Sequence, residues 1–116
     1  MTMSPFLRDE LVNHALRNAH VSLHTADPGD QGANELTGPG YVRKVAVFSG
    51  AVDGMASNTA EVEFPRMPAS IFNHAGIWDA PSGGHYLWGA WLGQAYDVRA
   101  GDSFVIDPDI LMVKLR

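Results

Sequence analysis

The pattern of apolar and polar positions along this chain changes period once, close to residue 20. Ahead of that point Leu7, Leu11 and Ala15 recur at i, i+4 and i+8, with Val12, Leu16 and Ala19 beside them. Asp9, Asn13 and Arg17 line the opposite side, so the spacing predicts an amphipathic helix over roughly residues 5–18. Ser4 suits the N-cap and Pro5 the first helical position, and Asp9 and Glu10 lie early enough to favour the helix N-terminus. A helix of about fourteen residues is marginal alone in water. Its apolar side is therefore expected to dock, either on its own sheet or on a neighbouring subunit.

From residue 20 onward the period is that of strands. Val21 to His24 alternates, and a polar loop runs from Asp27 to Gly40, a length that is usually functional or mobile in compact domains. Tyr41 to Ser49 reads as a strand, with Val42, Ala46 and Phe48 on one face and Tyr41, Val45 and Val47 on the other. Ala60 to Phe64 puts Val62 and Phe64 inward and Glu61 and Glu63 outward. Ile71 to Asp79 and His85 to Leu92 read as hairpin partners across Pro81-Ser82-Gly83-Gly84, and Ser103 to Ile106 and Ile110 to Leu115 supply the last strands. The expected fold is mainly β: an antiparallel, jelly-roll-like β-sandwich or small barrel of six to eight strands with one N-terminal α-helix. A parallel sheet would need helical crossovers, and no helical pattern follows residue 20. A single domain over residues 1–116 is expected, with a helical segment 1–19 and a β-domain 20–116.

Composition narrows the function classes. Apolar residues make up 46% and charged ones 18% of the 116, so the chain can bury a core and is not of disordered type. Eight scattered basic residues against thirteen acidic ones, net −5, argue against nucleic acid as a partner, because counterion replacement needs clustered positive charge. No apolar run is long enough to span a membrane, and Met1-Thr2-Met3-Ser4-Pro5 lacks the basic and apolar regions of a secretory signal. With no cysteine there is neither a disulfide framework nor thiolate chemistry.

The candidate chemistry thins out on inspection. Asp79, Ser82 and His85 are spaced so that they could form a triad, yet a hairpin turn explains the same residues. His20 and His24 would share a strand face about 13 Å apart, too far to hold one zinc ion, and read as isolated polar-face histidines. Asp27, Asp30, Asn34 and Glu35 offer oxygen ligands of the kind calcium prefers, without the spacing of an EF-hand loop. Glu61 and Glu63 read as a solvated strand face, and Gly38-Pro39-Gly40 precedes a strand where a phosphate loop precedes a helix. No cofactor, metal or catalytic set is expected. The aromatics remain: Trp78, Trp88 and Trp91 with Tyr86 crowd one hairpin, Trp88 sharing a face with Tyr86 and Trp91 facing the other way. Trp78 is expected in the core. Phe6, Leu7, Leu11, Trp88 and Trp91 are the candidate protein-interface residues.

The stretch Val21-Ser22-Leu23-His24-Thr25-Ala26-Asp27-Pro28-Gly29-Asp30-Gln31-Gly32 resembles part of a family of small tailed-phage virion proteins. Asn34-Glu35, Gly40-Tyr41-Val42-Arg43, Ser57-Asn58, Val62-Glu63-Phe64-Pro65, His74 to Ala80, Ser82-Gly83-Gly84, Ala100 to Phe104 and Leu111 to Leu115 match further pieces in order. The resemblance spans nearly the whole chain. Members are often labelled "phage tail fibre protein", although their size and architecture are similar to those of capsid decoration proteins. It implies a non-enzymatic virion protein, assembled in the bacterial host cytoplasm, most simply a capsid decoration (cement) protein. The partners it implies are the major capsid protein or neighbouring virion proteins and further copies of the chain, a trimer being favoured. The alternatives are a small tail-associated structural protein and a glycan- or receptor-binding β-module that uses Trp88 or Trp91.

Overall fold

The structure is a computed structural model that describes residues 1–115. One helix, α1 (Pro5–Leu16), precedes eight strands: β1 (His20–His24), β2 (Lys44–Val45), β3 (Met55–Ser57), β4 (Val62–Phe64), β5 (Ser70–Trp78), β6 (Tyr86–Val98), β7 (Phe104–Ile106) and β8 (Met112–Lys114). All pairings are antiparallel. The main sheet has the order β2-β1-β5-β6, and two ribbons, β3-β8 and β4-β7, complete the strand set without closing a barrel among the described residues.

The main sheet forms one layer; the two ribbons and α1 form the other. Val21, Leu23, Phe72 and Ala75 of the main sheet pack against Val62, Phe64 and Ile106 of β4-β7, with Leu36, Met67 and Leu111 filling in. A second cluster joins Val12, Leu16 and Ala19 to Ala56 and Val113 of β3-β8 and to Ile77 of β5. Asn58, fully buried, ties the layers' connections together by bonding Leu111 N–H and the carbonyls of Ala60 and Asp107.

Ser4 caps α1 as its sequence suggests, accepting from Leu7 N–H with Pro5 at the first position. The buried side of the helix departs from the expected one. Asp9 Oδ1 accepts from Gly54 N–H and Asn13 Oδ1 from Ala51 N–H, so the polar side faces the domain together with Val12 and Leu16. Leu7 and Leu11 are left in solvent. Two orphan backbone donors of the 51–54 turn take side-chain acceptors from the helix, and that fixes its rotation.

Two further differences concern register. The expected nine-residue strand from Tyr41 to Ser49 shrinks to Lys44–Val45, because the segment changes partner: Ala46 N–H bonds Ala19 O, whereas Ser49 N–H bonds Ser57 O and Thr59 N–H bonds Val47 O. β6 extends to Val98, past the predicted end, by resuming its pairing after an irregularity between Phe72↔Tyr96 and His74↔Trp91. A second irregularity sets Trp78↔Tyr86 beside Ile77↔Trp88, inserting Leu87. That extra residue turns Tyr86 and Trp88 to opposite faces, which corrects their expected shared face.

Candidate functional site

On the sheet face turned away from the ribbons, Ser22 and His24 of β1 lie under the loop from Asp27 to Gly40, and both are fully buried. The hydrogen-bond directions are set by the end groups. Trp78 Nε1–H can only donate, and does so to Ser22 Oγ at 2.9 Å. Ala33 O can only accept, so His24 Nδ1, 2.7 Å away, carries the proton. His24 Nε2 therefore accepts from the Ser22 hydroxyl at 2.6 Å. Burial holds the His24 pKa below its ordinary value, against opposing contributions from the Ala33 carbonyl and Glu35. This histidine is not the polar-face residue its alternation suggests.

The serine–histidine pair has the donor–acceptor order of a nucleophile and its base. Its surroundings give it another use. Gly76 lies beside it, opposite Ser22 on the paired strand β5, and a Cβ there would sit 2.6 Å from Ser22 Oγ and 2.7 Å from His24 Nε2. The loop closes it from above, held by Leu36 N–H to Leu23 O and Thr25 N–H to Asn34 O, with Gly32 (φ +76°) laid on the Trp78 ring. No face of the pair is open to a substrate; it clamps the loop to the sheet.

Arg43 extends the clamp. Its Nε and Nη2 donate to the two oxygens of Glu35 at 2.9 and 2.8 Å, and Nη1 donates to the carbonyls of Ala80 and Gly83. The guanidinium lies 3.7 Å from the Trp78 ring centroid. Tyr41 donates to Glu35 Oε2 and accepts from Leu23 N–H. Burial alone would raise the Glu35 carboxyl, but the bonds from Arg43 and Tyr41 hold it below its ordinary value; burial pushes the Tyr41 phenol up. Glu35 is thus committed to an ion pair. Asp27 Oδ1 receives Gly29 N–H in a local turn, and the described residues contain no cluster of three or more histidine, aspartate or glutamate side chains placed to share a metal ion. Asp79 accepts from both the backbone and Nδ1 of His85, closing the hairpin turn, and Ser82 takes no part. Trp78, expected in the core, is half-buried between Arg43, Tyr86 and the loop.

The outer surface is more suggestive. Phe6, Leu7 and Leu11 stand on the exposed side of α1, at 74%, 46% and 44% exposure. Trp91 is 66% exposed on the opposite face of the main sheet, across from His74. Trp88 is half-buried against the cluster beneath α1. The structure thus gathers three of the five candidate interface residues on one crest, places Trp91 on the other side, and turns Trp88 inward. Sequence patterning missed Arg43 and Gly76. A glycine in the middle of an otherwise regular strand was the signal available for the second.

A family model described as "Podophage GP4 fiber I protein gp80" matches residues 2–114. No curated protein matches the chain.

Proposed function

This chain belongs to the podophage GP4 fiber I protein gp80 family and is a virion structural component, and we propose that it is a non-enzymatic capsid decoration protein holding neighbouring shell subunits together. The observation that carries this reading is the pair of exposed apolar surfaces on opposite sides of one sheet: the α1 crest and Trp91. A subunit with two such surfaces can touch two neighbours at once, which is what a cement protein does. Rigidity between the two surfaces comes from the second cluster, which packs α1 against Ile77 of the main sheet, and from the bonds of Asp9 and Asn13 to the 51–54 turn. The buried and fully bonded serine–histidine pair supports the non-enzymatic part of the proposal.

The word "fiber" in the family description favours a second reading, a compact tail-associated subunit. Exposed Trp91 would then serve as an anchor for a neighbouring tail protein or as a stacking platform for a receptor glycan. Cryo-electron microscopy of virions separates the readings. Many symmetric copies on the head supports decoration; density confined to the tail overturns it. Glycan binding lost in Trp91→Ala would support the receptor-binding version of the tail reading.

A further inference from the structure

α1 stands beside a furrow. Asn13 and Leu16 of the helix, with its C-cap Arg17, form one wall of a cleft of about 340 Å³ whose other wall is the segment Val45–Gly50. Through Ser49 and Gly50 this cleft joins a second concavity of about 370 Å³, lined by Val52, Met55 and Met112. Val45, Val47, Val52, Met55 and Met112 are all exposed, so the furrow is lined with aliphatic and thioether groups in contact with water. Thioether side chains adapt their shape to an incoming surface. The crest over the helical wall carries Phe6, Leu7 and Leu11.

We infer that the furrow receives the α1 crest of a second copy of this chain. Three observations select that occupant. A ridge and a groove of matching apolar chemistry lie next to each other, so two copies related by a twofold axis can each seat a ridge in the other's groove. The charges agree: Glu10 is the one acidic group of the crest, and the furrow walls carry Arg17, His20 and Lys114 against a single carboxylate, Asp53. Glu10 and Arg17 make no ion pair among the described residues. The extent also agrees, because the two concavities and the crest together present roughly twenty residues, the number that a specific interface uses on each side. It rests on the proposed function in its use of the α1 crest: the neighbour met there is a second copy of the chain, and Trp91 is left for the other.

Sedimentation of the full chain from 1 to roughly 100 μM tests this, a range that brackets micromolar association. Expected is a self-associated species that Leu11→Asp on the crest and Val47→Asp in the furrow each weaken at least tenfold, with Trp91→Ala unaffected. Both replaced residues are exposed, and a thermal melt verifies that the variants stay folded. Glu10→Arg is expected to weaken association, and adding Arg17→Glu to restore it. Because the chain has no cysteine, Leu11→Cys mixed with Val47→Cys should give a mixed disulfide between two chains. The species expected is a dimer, the closed form of a twofold contact. A monomer throughout, association indifferent to both substitutions, or no mixed disulfide overturns the inference.

Discussion

Arg43 lies over Trp78, the guanidinium carbon 3.7 Å from the indole centroid, while the indole N–H donates to Ser22 on the neighbouring strand. The same guanidinium binds both oxygens of Glu35 and two carbonyls of the 79–85 turn. A lysine keeps the charge but cannot reproduce a planar fork with four acceptors. Arg43→Lys is therefore expected to destabilise by about 1 kcal/mol, the loss of hydrogen bonds to acceptors that are only partly buried. Urea denaturation measures it, and a wild-type midpoint would refute the clamp.

Gly76→Ala probes the same network from the neighbouring strand. The added methyl would press on Ser22 Oγ and His24 Nε2 in a region with no spare volume. Overpacking of this kind costs about 1–3 kcal/mol. Hydrogen exchange at Leu36 N–H, bonded to Leu23 O, should quicken in the variant; unchanged protection would show that the loop is held by other means.

Acid should loosen the loop in two steps. The folded pKa of His24 lies below its ordinary 6.5, so the folded state disfavours the protonated ring. The stability tied to its neutral form is complete above pH 6.5 and is lost as pH falls through the lower folded value. Protonation also leaves the Ser22 hydroxyl without its acceptor and puts charge near Arg43 and His74, with Glu35 the one opposing group. Glu35, held below its ordinary 4.5, contributes stability present above that pH and lost as pH falls through its own folded value. Denaturation midpoints from pH 7.5 down to 3 should therefore begin to fall below 6.5. His24→Asn should remove the first step and keep the second; persistence of the first step would assign it elsewhere.

How far the fold was legible depended on the range of the interaction. Val62-Glu63-Phe64 alternates because a single strand decides it, and Pro81 to Gly84 marks a hairpin turn for the same local reason. Ser4-Pro5 fixed the helix start within its first turn. The rotation of α1 was illegible, because Asp9 and Asn13 answer donors 45 and 38 residues away. The faces of Tyr86 and Trp88 were misread because one inserted residue, Leu87, resets a period of two, and nothing in Tyr-Leu-Trp announces it. Of the five candidate interface residues, Phe6, Leu7, Leu11 and Trp91 are exposed, whereas Trp88 is not, because its face is set by the inserted Leu87. The clamp was hidden because His24, Glu35 and Arg43 are each ordinary until the loop brings them together.

The rotated helix predicts a contrast between two leucines five residues apart. Leu16→Ala removes a side chain buried in the second cluster and is expected to cost about 2–5 kcal/mol. Leu11→Ala, at 44% exposure, should fall within about 0.5 kcal/mol of wild type. Chemical denaturation compares them, and equal losses would contradict the docking. Removing residues 1–19 takes Val12, Leu16 and Ala19 away with the crest, so point substitution at Leu7 or Leu11 is the cleaner probe of a partner contact.

The second apolar cluster draws on positions 12, 56, 77 and 113, nearly the full span of the chain. No contiguous stretch emerging from a ribosome can assemble it, whereas the β5-β6 hairpin needs only residues 70–98. Loop-closure entropy therefore orders the folding: the hairpin first, β1 onto it, and the α1–β3–β8 corner last. Pulsed hydrogen exchange should show protection at Ile77 before it reaches Val113. Until the corner closes, the underside of the sheet is uncovered, and a nascent chain spends that interval as its most aggregation-prone form.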